Sequence, residues 1–365
     1  MAATSFVVAN AAQDFLSGLS GRARADARLL DVVVSASRAL QARDWEPLPA
    51  RVVCDGGATF RVEFARPSNA RHLRVDVLHG GVADLAVQTE RLAPLDAAAT
   101  RALLEHKRIV FVGCARQCGA ATDATLARVA ALGALFADWR LLVFENDSTD
   151  DTAARIRRFA ATQPVELIQE PGLKELLSER TARLAYGRNR LLERALALAP
   201  DYVCVVDIDG LVTPEHPSEG AFLSSFALEP CWDAVFPVNA GIYYDVWALR
   251  HPVLCPHDYM TLGTVMDAAL GQPLAVHFAA SYAQIDLRHL QSWLPVDSAF
   301  GGMGVYKAAA LAGARYIGLA EGREVCEHVP LHAQLRARGA ALYINPQFVV
   351  ASHGVEAANP LTRHP

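Results

Sequence analysis

Roughly 18 consecutive apolar residues are needed to cross a bilayer as a helix, and this chain has no such run, although 52% of its 365 residues are hydrophobic. A membrane bundle is excluded on that ground. Residues Met1 to Asn10 also lack the basic region followed by an apolar stretch that marks a secretory signal, so a cytoplasmic protein is expected. No clustered basic face accompanies the net charge of −5, which argues against a nucleic-acid partner. The seven cysteines, Cys54, Cys114, Cys118, Cys204, Cys231, Cys255 and Cys326, form no C-x-x-C pair, so neither a disulfide framework nor a zinc finger is indicated. No internal repeat, low-complexity linker or G-x-G-x-x-G is present, and the last absence disfavours a dinucleotide oxidoreductase.

With 20% charged residues, the composition is that of a folded globular protein, and the length suggests about two folding units. Residues 1 to 105 carry 12 arginines against 12 acidic residues. They show an amphipathic stretch from Leu29 to Leu40 and short alternating runs at Arg51 to Val53, Phe60 to Phe64 and Leu73 to Val77. We read a small α+β accessory region there, with no catalytic constellation.

After His106 apolar runs of strand length alternate with helical patterns, the mark of a mostly parallel α/β sheet covered on both faces. Strands are expected at Arg108 to Val112, Arg140 to Phe144, Val165 to Ile168, Tyr202 to Val206 and Phe348 to Ala351, with another from Ala341 stopped by Pro346. Ser148 and Asp151 have capping-box spacing ahead of a helix facing inward through Ile156 and Phe159. Further helices are expected over Thr181 to Leu198 and over Val329 to Arg338, the latter closing on Gly339.

The Tyr202 to Val206 run ends in Asp207, Ile208, Asp209 and Gly210. Side chains two apart on a strand share a side, so Asp207 and Asp209 present both carboxylates at the ligand-binding edge of an open sheet. Two carboxylates so placed repel unless a divalent cation joins them, and hard oxygen ligands suit Mg²⁺ or Mn²⁺. A plain Asp-Gly turn accounts for the same residues less well, because the strand before them is apolar enough to be central. The acidic run Glu145 to Thr152 follows the second strand, where carboxylates can accept hydrogen bonds from ribose or base, although simple helix capping also explains it.

Strand, acidic turn, helix, then Tyr186-Gly187-Arg188-Asn189, then a hydrophobic strand ending in Asp-x-Asp: in that order, residues 106 to 350 resemble the nucleotide-sugar-dependent glycosyltransferases of the GT-A fold. Glu145 to Thr152, Ala299 to Tyr306 and Cys326-Glu327-His328 further resemble capsule-associated mannosyltransferase-type enzymes and their bacterial relatives. The resemblance implies a catalytic domain over 106 to 365 that moves a sugar from a UDP- or GDP-linked donor to a carbohydrate or glycolipid hydroxyl, in surface polysaccharide or glycoconjugate synthesis. It implies a cytoplasmic enzyme, free or peripheral at the inner face of the membrane. By the same resemblance Arg116, Glu145, Asp147, Arg188, Asn189, Asp207, Gly301 and Gly302 line the donor, with Asp297 and Ser298 near its sugar. Asp207, Asp209 and a C-terminal His353 hold Mn²⁺ or Mg²⁺, and Glu327 is the general base, with His328 or Asp297 in reserve. In a retaining enzyme Glu327 would instead orient a substrate. The aromatic stretch Tyr243 to His251 is expected near a sugar, and outside a site its Asp245 and Arg250 would need partners. The rivals are a sugar nucleotidyltransferase, for which Gly113 to Gln117 is poor in glycine and lacks lysine, and a non-catalytic carbohydrate- or nucleotide-binding module.

Overall fold

The structure, a computed structural model, describes residues 4–22, 31–39, 44–54, 59–79 and 86–352. The chain divides into two compact units. The first comprises Met1–Pro94 with Leu228–Cys231 and Gln291–Trp293, and the second comprises the remainder.

Alternation builds the first unit. In the Thr59–Ser68 strand, Phe60, Val62 and Phe64 are buried while Arg61 and Glu63 face out, the period of two expected of a half-buried strand. Every regular element described within Met1–Pro94 is a strand, arranged as two four-stranded antiparallel sheets. Leu16, Leu19, Val34, Phe60, Val62, Leu73 and Val75 form its core. The stretch from Leu29 to Leu40 contains the strand Asp31–Ser37, because Val32, Val33 and Val34 are β-branched and favour an extended backbone; Leu29, Leu30 and Leu40 lie outside the described residues. The α+β character expected of residues 1 to 105 therefore resolves into these strands and one helix, Ala97–Leu104, which belongs to the second unit.

The second unit is an α/β layer structure around an eight-stranded sheet. Its order is Val165–Gln169, Asp138–Glu145, Arg108–Ala115, Tyr202–Val206, Met303–Lys307, Ala234–Asn239, Leu342–Val350 and Leu294–Pro295. The first four strands run parallel, Met303–Lys307 is antiparallel to both neighbours, and Ala234–Asn239 pairs parallel with Leu342–Val350. The chain steps outward from Arg108–Ala115 to Val165–Gln169 and then returns to its other side at Tyr202–Val206. That reversal is a topological switch point, where open α/β sheets open a crevice at the carboxyl ends of their strands.

Tyr306 sits inside the antiparallel strand Met303–Lys307, fully buried between its neighbours. One expectation changes. Pro346 does not stop the last strand. Leu342–Val350 runs through it, with the pairing shifting register between Phe236–Ile344 and Val238–Val349, and a bulge is where a sheet tolerates proline.

The Arg180–Ala197 helix packs on the sheet through Thr181, Ala185, Arg188, Leu192 and Ala195, a stripe at spacings of three and four. Gly187 lets it approach closely, because a Cβ there would stand 2.5 Å from the Phe144 ring. That contact sets the depth at which Arg188, the next residue, enters the sheet edge.

Candidate functional site

Asp207 begins where the Tyr202–Val206 strand ends, and its amide donates to the Gly302 carbonyl at 2.9 Å. The turn that receives it needs glycine. Gly301 and Gly302 have φ of +70° and +98°, and a Cβ on Gly302 would meet Leu211 Cδ1 at 2.4 Å. Gly302→Ala should therefore cost about 2–4 kcal/mol, combining a left-handed backbone with overpacking, as read by denaturant unfolding. A loss below 1 kcal/mol would show that the turn can relax.

Around Asp207 the fold gathers charges from distant parts of the sequence. Arg188 is buried, and its Nε donates to Glu327 Oε1 at 2.9 Å while Nη2 donates to Asp207 Oδ1 at 3.2 Å. Its guanidinium also lies over the rings of Phe300 and Tyr316, at 5.1 and 5.9 Å from their centroids. Glu327 is buried at the N-cap of the His328–Ala337 helix, with no side-chain cap bond of its own. Asp245 joins the group. Its Oδ2 accepts from the Gly301 amide at 2.9 Å and its Oδ1 from Ala248 N at 3.2 Å, while Arg250 pairs with Asp258. Those are the partners that the aromatic stretch demanded.

Negative charge exceeds positive here, and the carboxyls respond. Burial, then the neighbouring Asp209, push Asp207 up to about 7 against the opposing pull of Arg188. Burial likewise raises Asp245 to about 6, with Asp207 and Glu327 contributing and the Gly301 and Ala248 amides resisting. This excess, together with two hard carboxylates at one strand end, fits a divalent cation that completes its shell from substrate phosphates. Among the described residues no three Asp, Glu, His or Cys side chains form a group that could hold a metal, and His353 lies outside the described residues. Asp209 itself is exposed at the mouth of the edge.

The acidic turn after Asp138–Glu145 is largely occupied by its own backbone. Buried Glu145 accepts from Ser148 N at 2.8 Å and from Gln169 Nε2 at 2.5 Å. Asp147, at φ +55°, accepts from Gly172 N and Lys174 N, and its carboxyl is held low first by the Asn146 amide. Nucleotide contacts by Glu145 and Asp147 would have to use lone pairs that this turn leaves over. The Ser148 capping box does not form. Ser148 Oγ accepts from Gln117 N, and Asp150 holds the Thr152 amide at 3.0 Å ahead of the Thr152–Ala160 helix. Arg116 is exposed just past the Arg108–Ala115 strand, near enough to help lower Asp147.

Other expected site residues are placed elsewhere or engaged otherwise. Asn189 makes the tertiary bond that its helix-interior position called for, but both amide atoms are committed to the Tyr316 backbone at 2.9 Å, so it braces the site rather than facing a ligand. Asp297 is half-exposed and paired with Arg336 at 3.2 Å. Ser298 is buried, with its hydroxyl on His332 Nδ1 at 2.8 Å. His328 is stacked on Phe300 at 3.9 Å between centroids, and burial, then Arg188, drive its pKa down, which makes it a poor base in reserve. Cys114, Cys118, Cys204, Cys231, Cys255 and Cys326 are free thiols, so Cys114 and Cys118 form no bridge.

No family model and no curated protein sequence matches the chain. Among solved structures it is similar to the mannosyltransferase PcManGT from Pyrobaculum calidifontis in complex with GDP-Man and Mn²⁺, at 16% identity and a TM-score of 0.41, over 68% of this chain and 57% of that one. It is similar to S. aureus TarS 1-349 at 13% identity and a TM-score of 0.38, over 67% and 59%. It is also similar to Mycobacterium tuberculosis glucosyl-3-phosphoglycerate synthase in complex with Mg²⁺ and UDP, at 17% identity and a TM-score of 0.40, over 71% and 76%. The chain thus spans less than two thirds of the length of the first two.

Proposed function

We propose that the chain is a glycosyltransferase that moves a sugar from a nucleoside-diphosphate donor to a hydroxyl acceptor. The observation that carries this reading is the placement of Asp207 at the switch point of the sheet, bridged through Arg188 to Glu327. Asp207 and Asp209 hold the Mg²⁺ or Mn²⁺, which when bound stabilises the departing diphosphate as a Lewis acid. Arg188 Nη1 is buried without a hydrogen-bond partner and is suited to an anionic ligand oxygen. In an inverting transfer the acceptor oxygen bonds to the anomeric carbon as the bond to diphosphate breaks, and Glu327 takes the acceptor proton. The Gly301–Gly302 turn lets backbone approach the donor sugar where side chains would block it. UDP or GDP as the donor base, Mn²⁺ as the working metal, a glycan or glycolipid acceptor, a surface-polysaccharide product and peripheral membrane association belong to the same reading. No helix among the described residues is long and apolar enough to cross a membrane.

The test is a panel of UDP- and GDP-sugars with Mn²⁺, read by donor hydrolysis and thermal shift. At a hundredfold excess over Kd, a bound donor should raise Tm by roughly 3–5 °C, and Asp209→Ala should abolish both turnover and the metal-dependent part of the shift. The reading fails if no nucleoside diphosphate shifts Tm in the presence of Mn²⁺, or if Asp209→Ala turns over like the parent.

A further inference from the structure

Behind the Glu327 end of its helix, three buried polar side chains form a chain of their own. Ser298 Oγ lies 2.8 Å from His332 Nδ1, and Tyr306 Oη lies 2.8 Å from His332 Nε2. All three residues are 1% exposed or less. A neutral imidazole has one N–H and one lone-pair nitrogen, so a bridge between two hydroxyls satisfies both, and burial holds His332 neutral by lowering it to about 3.

The three side chains come from three different elements. Ser298 begins the segment that runs through Phe300 into the Gly301–Gly302 turn, and its backbone is pinned to Arg250. Tyr306 is in the antiparallel strand Met303–Lys307, and His332 is in the His328–Ala337 helix, one turn after His328. His328 stacks on Phe300, whose other contacts include the Arg188 guanidinium. Arg188 in turn holds Glu327 and Asp207.

We propose that His332 is a positioning residue: by fastening the Ser298 segment and the Tyr306 strand to the helix that begins at Glu327, it fixes where Glu327 and Arg188 stand against the Phe300–Gly302 turn. Its effect on turnover rests on the function proposed above, whereas its effect on the order of the helix start and the turn does not.

Ser298→Ala and Tyr306→Phe each remove one hydroxyl and keep the packing, and His332→Gln and His332→Leu vary the bridge itself. With the donor that the panel identifies, Ser298→Ala and Tyr306→Phe should each lower kcat roughly tenfold while the donor KM stays within about twofold. Their combination should fall little further than either alone, because the two act through one imidazole. His332→Gln should recover several-fold of the kcat lost in His332→Leu. Independently of any turnover, amide hydrogen exchange in Ser298→Ala should quicken at residues 300–302 and at Val329, Leu331 and His332, and not in the Arg180–Ala197 helix. Unchanged exchange at those amides overturns the clamp. Unchanged kcat in both single variants, or a fall in kcat matched by a several-fold rise in KM with no recovery by glutamine, overturns the positioning role. If no donor turns over at all, the functional reading fails and hydrogen exchange still decides the clamp.

Discussion

Replacing Arg188 by methionine should destabilise the protein by about 3–5 kcal/mol at pH 8, the range measured when one partner of a buried ion pair is removed. Methionine fills much the same volume and keeps the contact with Phe300 and Tyr316, so the loss isolates the charge. Without the guanidinium, Glu327 and Asp207 face each other and Asp245 with no buried cation between them. The pH dependence has a definite sign. Asp207 titrates near 7 in the fold against an ordinary value of 3.8, so the folded state binds the extra proton, and its stability contribution is full below about pH 4 and lost as pH rises to about 7. Removing Arg188, which pulls Asp207 down, extends that window upward, so the deficit of the variant should be smallest near pH 5 and grow toward pH 8. Guanidinium melts at the two pH values decide it. A deficit below about 1 kcal/mol at pH 8, or one that does not change with pH, would mean that the bridge carries little of the charge balance. Arg188→Lys should fall between, since a single ammonium cannot serve two carboxylates in the fork geometry of arginine.

The sequence made the acidic edge readable and left the bridge across it unreadable, and the difference is physical. Asp207 and Asp209 follow an apolar run long enough to be a central strand, and strand periodicity alone places both carboxylates at its end. Glu327 is at the start of a helix whose limits follow from its own pattern and from Gly339. The interlock is another matter, because Arg188 and Glu327 are 139 residues apart and no local pattern announces that one helix will deliver a guanidinium to the cap of another. Asp245 was visible as a charge in an aromatic stretch that needed a partner, and beside the local Ala248 amide its second partner is a backbone amide in a turn 56 residues away.

Backbone conformation accounts for most of the other differences. Asp147 reads as a ligand-facing acid, yet its left-handed φ turns the carboxylate onto the Gly172 and Lys174 amides. Ser148 has the spacing of a capping box, but the Gln117 amide takes its hydroxyl and Asp150 takes over the helix start. In each case a tertiary donor outcompetes the local one, which spacing rules do not represent. In the first unit the period of two in Phe60, Val62 and Phe64 was sufficient, whereas the Leu29 to Leu40 stretch was decided by three consecutive valines.

Glu327→Gln should lower transfer by about 10²–10⁴-fold while donor and metal binding persist, if this carboxylate takes the acceptor proton. Glutamine is nearly isosteric, and its carbonyl oxygen can still accept from Arg188 Nε, so the helix start should remain in place. What it cannot do is accept a proton. The substitution also removes a negative charge that raises Asp207, and it leaves more of Arg188 to Asp207, so Asp207 should ionise at lower pH. Mn²⁺ should then bind at least as tightly at pH 6 as it does to the parent, by isothermal titration, even as transfer collapses. A variant that lost metal affinity and turnover together would place Glu327 in the metal's support rather than in proton transfer. One that kept more than about a tenth of the parent kcat would remove it as the base and favour a retaining course, in which the acceptor needs no protein carboxylate to deprotonate it.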